Sequence, residues 1–197
     1  MTADDKSILK SILEHISGMD YIKPEDLPNI DLYMDQVTTF MEDQLASTKR
    51  HDDDKILTKT MINNYAKNHL LPAPDKKKYS KEHLLLLIYI YYYKSILSIG
   101  DIQSLLEPLT QRYFHKDGEM NMQSIYEEVF SLEKEQVEKM KQDVTEKYET
   151  ASRIFPEAEE EDQEFLRIFS FICLLSFDVY VKKQVIEKLI DELPKKS

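Results

Sequence analysis

Over residues 58–78 the sequence gathers Lys59, Thr60, Asn63, Asn64 and Lys67, and then the triplet Lys76-Lys77-Lys78. An Asn side chain presents a donor beside an acceptor, so it can meet an adenine edge bidentately in the DNA major groove. Thr and Lys side chains instead hold phosphate oxygens. Lys and Arg number eight over residues 55–94, against only Asp75 and Glu82. That segment is therefore +6 in a chain of net charge −11, and everything else carries −17. Such asymmetry is expected of a small polyanion-binding module on an acidic body. A plainer reading stands beside it, in which Asn63 and Asn64 lie on a wet helix face and the lysines form a solvated loop.

The elements that would position these groups follow from local signals. Thr58 is a good N-cap for a helix over 58–69, with Met61, Ile62, Tyr65 and Leu70 facing inward. On that register Lys59, Thr60, Asn63, Asn64 and Lys67 face away from the core. Asn is unfavourable inside a helix, so two in succession need a reason. The stretch Leu71-Pro72-Ala73-Pro74 predicts an extended exit, Asp75 to Lys78 a short basic turn, and Tyr79 an apolar root for it. Ser80 caps the next helix, which should run to about Ser95 with Lys81, Glu82 and His83 in its first turn.

Around this segment the chain reads as helix joined by polar loops, because three Gly and seven Pro in 197 residues leave few turn signals. A first helix is expected over 4–17, with Asp4 and Asp5 near its N-terminus and a stop at Gly18. Pro24 and Pro28 suggest an extended linker. Asp31 is expected to cap a helix from Leu32 to Ala46 with Val37, Phe40, Met41 and Leu45 inward, followed by a loop over 47–54. Further helices are expected over 98–112, 120–155 and 162–193, with His115-Lys116-Asp117-Gly118 as a turn. Residues 119–164 carry −10, read as a solvated acidic face. The apolar stretch Ile168–Val181 predicts burial on all sides or in an oligomer interface, and Cys173 within it predicts a buried free thiol. Tyr89, Tyr91, Tyr92 and Tyr93 read as packing rather than as a base-stacking platform.

At this point the pattern resembles a known one. Tyr65, Leu70-Leu71-Pro72, Tyr79, Leu84 to Ile96, and Ser98-Ile99-Gly100-Asp101-Ile102 with Leu105-Leu106 are similar to the winged helix-turn-helix of the mercury-resistance (MerR) regulator superfamily. The wording from Met61 to Pro74 and from Lys76 to Leu84 resembles more closely still a bacterial domain-of-unknown-function family, number 1836, thought to be a variant of that superfamily, over about residues 27–130. Superfamily members usually place Arg and Tyr where Asn63 and Asn64 stand, and Gly where His69 stands. The usual phosphate-anchoring pair is absent, while His69 is tolerable in a left-handed C-cap. The resemblance implies an all-α fold, a MerR-like module with a minimal wing plus a C-terminal helical region. It divides the chain into an N-terminal helix and linker (1–26), the helix-turn-helix domain (27–112) and a helical extension (113–197) through which two copies dimerise.

These readings lead to a transcriptional regulator binding double-stranded DNA as a homodimer, with recognition helix 58–69 and wing 75–79. Its DNA-binding residues would be Thr58, Lys59, Thr60, Asn63, Asn64, Lys67, Lys76, Lys77 and Lys78. The alternative is an interaction module that kept the fold, lost the DNA and binds a protein partner in an apolar groove. No enzyme is expected, because the three isolated glycines make no phosphate loop and no nucleophile–base pair stands out. No cofactor is expected either. No metal site is expected, since the five histidines lack paired spacing, Cys173 stands alone and His51-Asp52-Asp53-Asp54 reads as a hydrated turn. The first ten residues, Met1 to Lys10, lack a basic start followed by an apolar run, and no apolar run reaches the ~20 residues of a membrane span. The lone cysteine fits a reducing, cytoplasmic setting.

Overall fold

The computed structural model describes residues 3–18, 21–116 and 118–194. It is mostly helical, with eight α-helices among the described residues and one two-stranded sheet. In order these are α1 (Ala3–Ser17), β1 (Leu32–Tyr33), α2 (Met34–Leu45), α3 (Lys59–Lys67), β2 (Lys78–Tyr79), α4 (Lys81–Tyr93), α5 (Ile99–Tyr113), α6 (Met122–Ser131), α7 (Glu133–Ala151) and α8 (Glu160–Asp191). The chain forms two compact units. One contains Met1–Asp20 and Leu132–Ile186, the other Tyr21–Ser131 and Glu187–Ser197. The sequence suggested three consecutive pieces; the grouping of the N-terminal helix with the chain after residue 131 rests on distant contacts that no local pattern encodes.

In the larger unit α4 is the centre. Leu84 to Ile90 are all buried, an unbroken run that only a helix enclosed on every side can hold. Helices α5 and α6 and strand β2 pack against it. Tyr126 on α6 is fully buried and its hydroxyl donates to the Ile22 carbonyl at 2.7 Å. Tyr126→Phe is expected to lower unfolding stability by about 1 kcal/mol in denaturant titration. The expected extended linker instead contains a 3-10 turn at Pro24–Asp26 with Pro24 buried, and Ile22 and Leu27 are buried beside it.

Helix α2 does not begin at Leu32, nor is Asp31 its cap. Leu32 and Tyr33 form β1, antiparallel to β2 in the register Leu32↔Tyr79 and Tyr33↔Lys78, and Tyr33 caps the helix with its backbone N–H donating to Gln36 Oε1 at 2.9 Å. A long connection, residues 46–58, leads from α2 to α3. It opens with a 3-10 turn at Ala46–Thr48, and Asp54 accepts the backbone N–H groups of Arg50 and His51. Ile56 and Leu57 are buried, and Lys94, the C-cap of α4, donates to the Ile56 carbonyl at 2.7 Å.

The smaller unit holds α1, α7 and most of α8 around Leu9, Ile16, Val144, Tyr148, Ala151 and Phe171. Gly18 closes α1 by donating to Glu14 and His15 carbonyls; the side chains of Asp4 and Asp5, like Met1, Thr2 and Asp117, lie outside the described residues. The single helix expected over 120–155 is two helices, parted at Leu132. Lys147 pairs with Asp143 on its own helix and with Asp178 of α8, and those hydrogen bonds raise its pKa. One expectation fails on α8. Cys173 is exposed, not buried. Of the two expected ways to bury the helix, the fold itself supplies only part: α1 and α7 cover one face, and Phe165, Phe169, Ile172 and Phe177 are each more than half exposed; an oligomer interface is the other.

Candidate nucleic-acid interface

Helix α3 forms where its cap predicts. Thr58 Oγ1 accepts the Met61 N–H at 3.2 Å, and Ile62, Tyr65, Leu70 and Leu71 bury the inner side, with α2 packed against it. Met61, expected inward, is only half-buried. Lys59, Thr60, Asn63, Asn64 and Lys67 are exposed. Thr60, Asn63, Asn64 and Lys67 follow the i, i+3, i+4, i+7 spacing of a single helix face. The helix ends with Asn68 donating from its backbone and its side chain to the Asn64 carbonyl. His69 then turns the chain at φ 59°, the left-handed C-cap expected of it.

The segment expected as a wing is a tight hairpin. Lys78 N–H donates to the Asp75 carbonyl at 2.8 Å, and between them Lys76 and Lys77 sit at φ 46° and 66°. Two consecutive left-handed residues are the signature of a type I′ turn, a place for Asn-Gly rather than Lys-Lys. Both lysines are exposed, and Tyr79 is buried as the hairpin's root.

The first turn of α2 ties these parts together. Lys78 Nζ lies 5.3 Å from the centre of the exposed Tyr33 ring, a cation–π contact. Two residues on, Asp35 pairs with Lys59, the first residue of α3. The root of the wing and the start of α3 therefore flank one short stretch, Tyr33 to Asp35. Thr58 is engaged by its cap and Lys59 by Asp35. Thr60, Asn63, Asn64, Lys67, Lys76 and Lys77 remain as the exposed predicted site residues. Sequence reasoning missed Tyr33 and Asp35; their only signal was an aromatic and an acid around a helix start.

Beneath the wing lies His83, 2 % exposed. The Ser80 N–H donates to its Nδ1 at 3.0 Å, so the neutral ring carries its proton on Nε2. Burial lowers its pKa to about 4, outweighing the Ala73 and Pro72 backbone, which favours the protonated ring. Tyr79 and Phe114 meet the ring edge-on at 5.5 and 4.9 Å. The backbone N–H of His115 donates to both Glu82 oxygens at 2.9 Å.

No group of three or more potential metal ligands occurs among the described residues. None of their helices is long and apolar enough to cross a membrane. No curated protein and no solved structure matches the chain. A family described as a domain of unknown function (DUF1836) matches residues 22–129, more than half of the chain. That span covers α2, α3, the wing, α4 and α5 together, and the chain belongs to this family.

Proposed function

We propose that the protein is a cytoplasmic DNA-binding transcriptional regulator with a MerR-like winged helix-turn-helix, acting as a homodimer through its C-terminal helices. The carrying observation is the exposed face Thr60, Asn63, Asn64 and Lys67 on α3, linked through the start of α2 to a hairpin tipped by two lysines. In this reading α3 enters the major groove and Asn63 and Asn64 read base edges. Lys67, Lys76 and Lys77 grip phosphates, and two copies read a pseudo-palindrome. Asn63→Ala and Asn64→Ala are each expected to cost at least about 1 kcal/mol at one base position and to relax preference there. Footprinting and titration on matched and random duplexes test this; equal losses on both would overturn base reading.

The second reading is an interaction protein that kept the fold without the DNA. The net charge of −11 favours it, because a negative field repels phosphate, as does the absence of Arg and Tyr at positions 63 and 64. A shallow groove of about 360 Å³ between the end of α3 and one face of α5, lined by Leu70, Leu71, Pro72 and Leu106, is where a partner side chain would seat. A gel shift with genomic fragments separates the two readings.

A further inference from the structure

Helix α2 meets the start of α3 with its first turn, and there it carries an acid. Lys59, Lys67, Lys76, Lys77 and Lys78 are the lysines of the predicted interface. Among the described residues, Lys59 alone of them has a carboxylate partner, Asp35. Tyr33 meets Lys78 through its ring, a contact that leaves the charge of the lysine in place. Asp75 closes the hairpin through its backbone carbonyl, and Lys67, Lys76 and Lys77 are exposed. The pair between Asp35 and Lys59 is open to exchange. The Asp35 side chain is 76 % exposed and that of Lys59 60 %, so packing holds neither, and water and salt leave such a pair weak. A lysine gains affinity for DNA largely because the duplex releases condensed counterions when its phosphates are neutralised. An ammonium already neutralised by its own chain adds nothing to that release until its carboxylate lets go.

We propose that Asp35 withholds Lys59 from DNA, occupying a cation at the start of α3 and so holding down binding that is blind to sequence. This rests on the DNA-binding reading of α3 and adds a control exerted from outside the recognition helix and the hairpin. A contact from lysine to phosphate is the same on every sequence, so masking one lowers affinity for random DNA and leaves base reading untouched. The partner lies on α2, so the masked ammonium is held towards that helix while Thr60, Asn63, Asn64 and Lys67 keep their exposure. A first-turn acid also suits the dipole of α2, but that benefit does not require Lys59.

The test uses the full chain and a random-sequence duplex, with lysine acetylation read by mass spectrometry in the presence and absence of the DNA. In the unaltered chain the duplex is expected to protect Lys67, Lys76 and Lys77 and to leave Lys59 as reactive as before. In Asp35→Asn it should protect Lys59 as well. Asp35→Asn is also expected to steepen the dependence of log affinity on log salt by about one unit, so that its gain in affinity is about threefold larger at ~50 mM salt than at ~200 mM. Asp35→Asn combined with Lys59→Gln removes both charges and should bind as the unaltered chain does. An Asp35→Asn protein that binds no tighter, or a Lys59 already protected in the unaltered chain, overturns the proposal and leaves the regulator standing. DNA that protects none of these lysines in either protein overturns both. Should Asp35→Asn fail to fold, the reactivity of Lys59 in the unaltered chain still decides.

Discussion

Lowering the pH from 6.5 towards 4 is expected to cost the protein about 3 kcal/mol of folding stability through His83 alone. The unfolded ring takes its proton near pH 6.5 and the folded ring only near pH 4. Between those values the unfolded chain binds the extra proton, so acid pulls the equilibrium towards it. Above pH 6.5 both states are neutral and stability is undiminished. Protonation would also place a hydrogen on Nδ1, which now accepts the Ser80 N–H, and so break the cap of α4. His83→Gln retains an acceptor three residues after the cap and removes the titration. Urea unfolding of both proteins at pH 7 and pH 4.5 measures the difference. A wild-type protein that loses no more stability than His83→Gln would show that the ring titrates normally.

The second large effect concerns the tip of the wing. Holding Lys76 and Lys77 in left-handed conformations costs about 1–2 kcal/mol each. Lys76→Asn with Lys77→Gly supplies the residues that a type I′ turn favours. The pair is expected to stabilise the fold by about 2 kcal/mol, part of the gain from Gly being lost to its greater freedom in the unfolded chain. If the lysines grip phosphates, the same change lowers affinity for every duplex alike and flattens the slope of log affinity against log salt by about two units. A protein both more stable and weaker on DNA would mark the strain as functional. More stability with DNA affinity untouched would leave the wing out of the interface.

What the sequence disclosed was whatever one or two turns of chain encode. Thr58 and Ser80 precede their helices as capping chemistry requires. His69 takes the left-handed C-cap, and Tyr79 is the buried root. The exposed Asn pair followed from where Ile62 and Tyr65 had to go. What stayed hidden was set by distant partners. Strand β1 is two residues long, too short to show any alternation, and exists because β2 lies beside it. Asp35 finds Lys59 only once α2 and α3 pack. His83 sits in a first turn that looks polar in sequence, and it is buried by Tyr79 and Phe114 from either side. Cys173 lay in an apolar run and so looked buried, but a run that is apolar all round does not reveal which flank its own fold leaves uncovered.

The passage from α2 to α3 changes what determines the aim of α3. In a helix-turn-helix of the usual kind, three or four residues act as a rigid hinge between the helices. Here residues 46–58 separate α2 from α3, and the entrance to α3 is held by Ile56, Leu57 and the Lys94 ammonium on the Ile56 carbonyl, beside the packing of α2 on α3 and the Asp35–Lys59 pair. Within the hydrophilic tract 49–54, Lys49 pairs with Glu42 of α2 and Asp54 holds the Arg50 and His51 N–H groups, while Asp52 and Asp53 are exposed. An inserted peptide is therefore expected to be tolerated best between Asp52 and Asp53, whereas a change at Lys94, far along the chain, removes a bond that pins the entrance to α3.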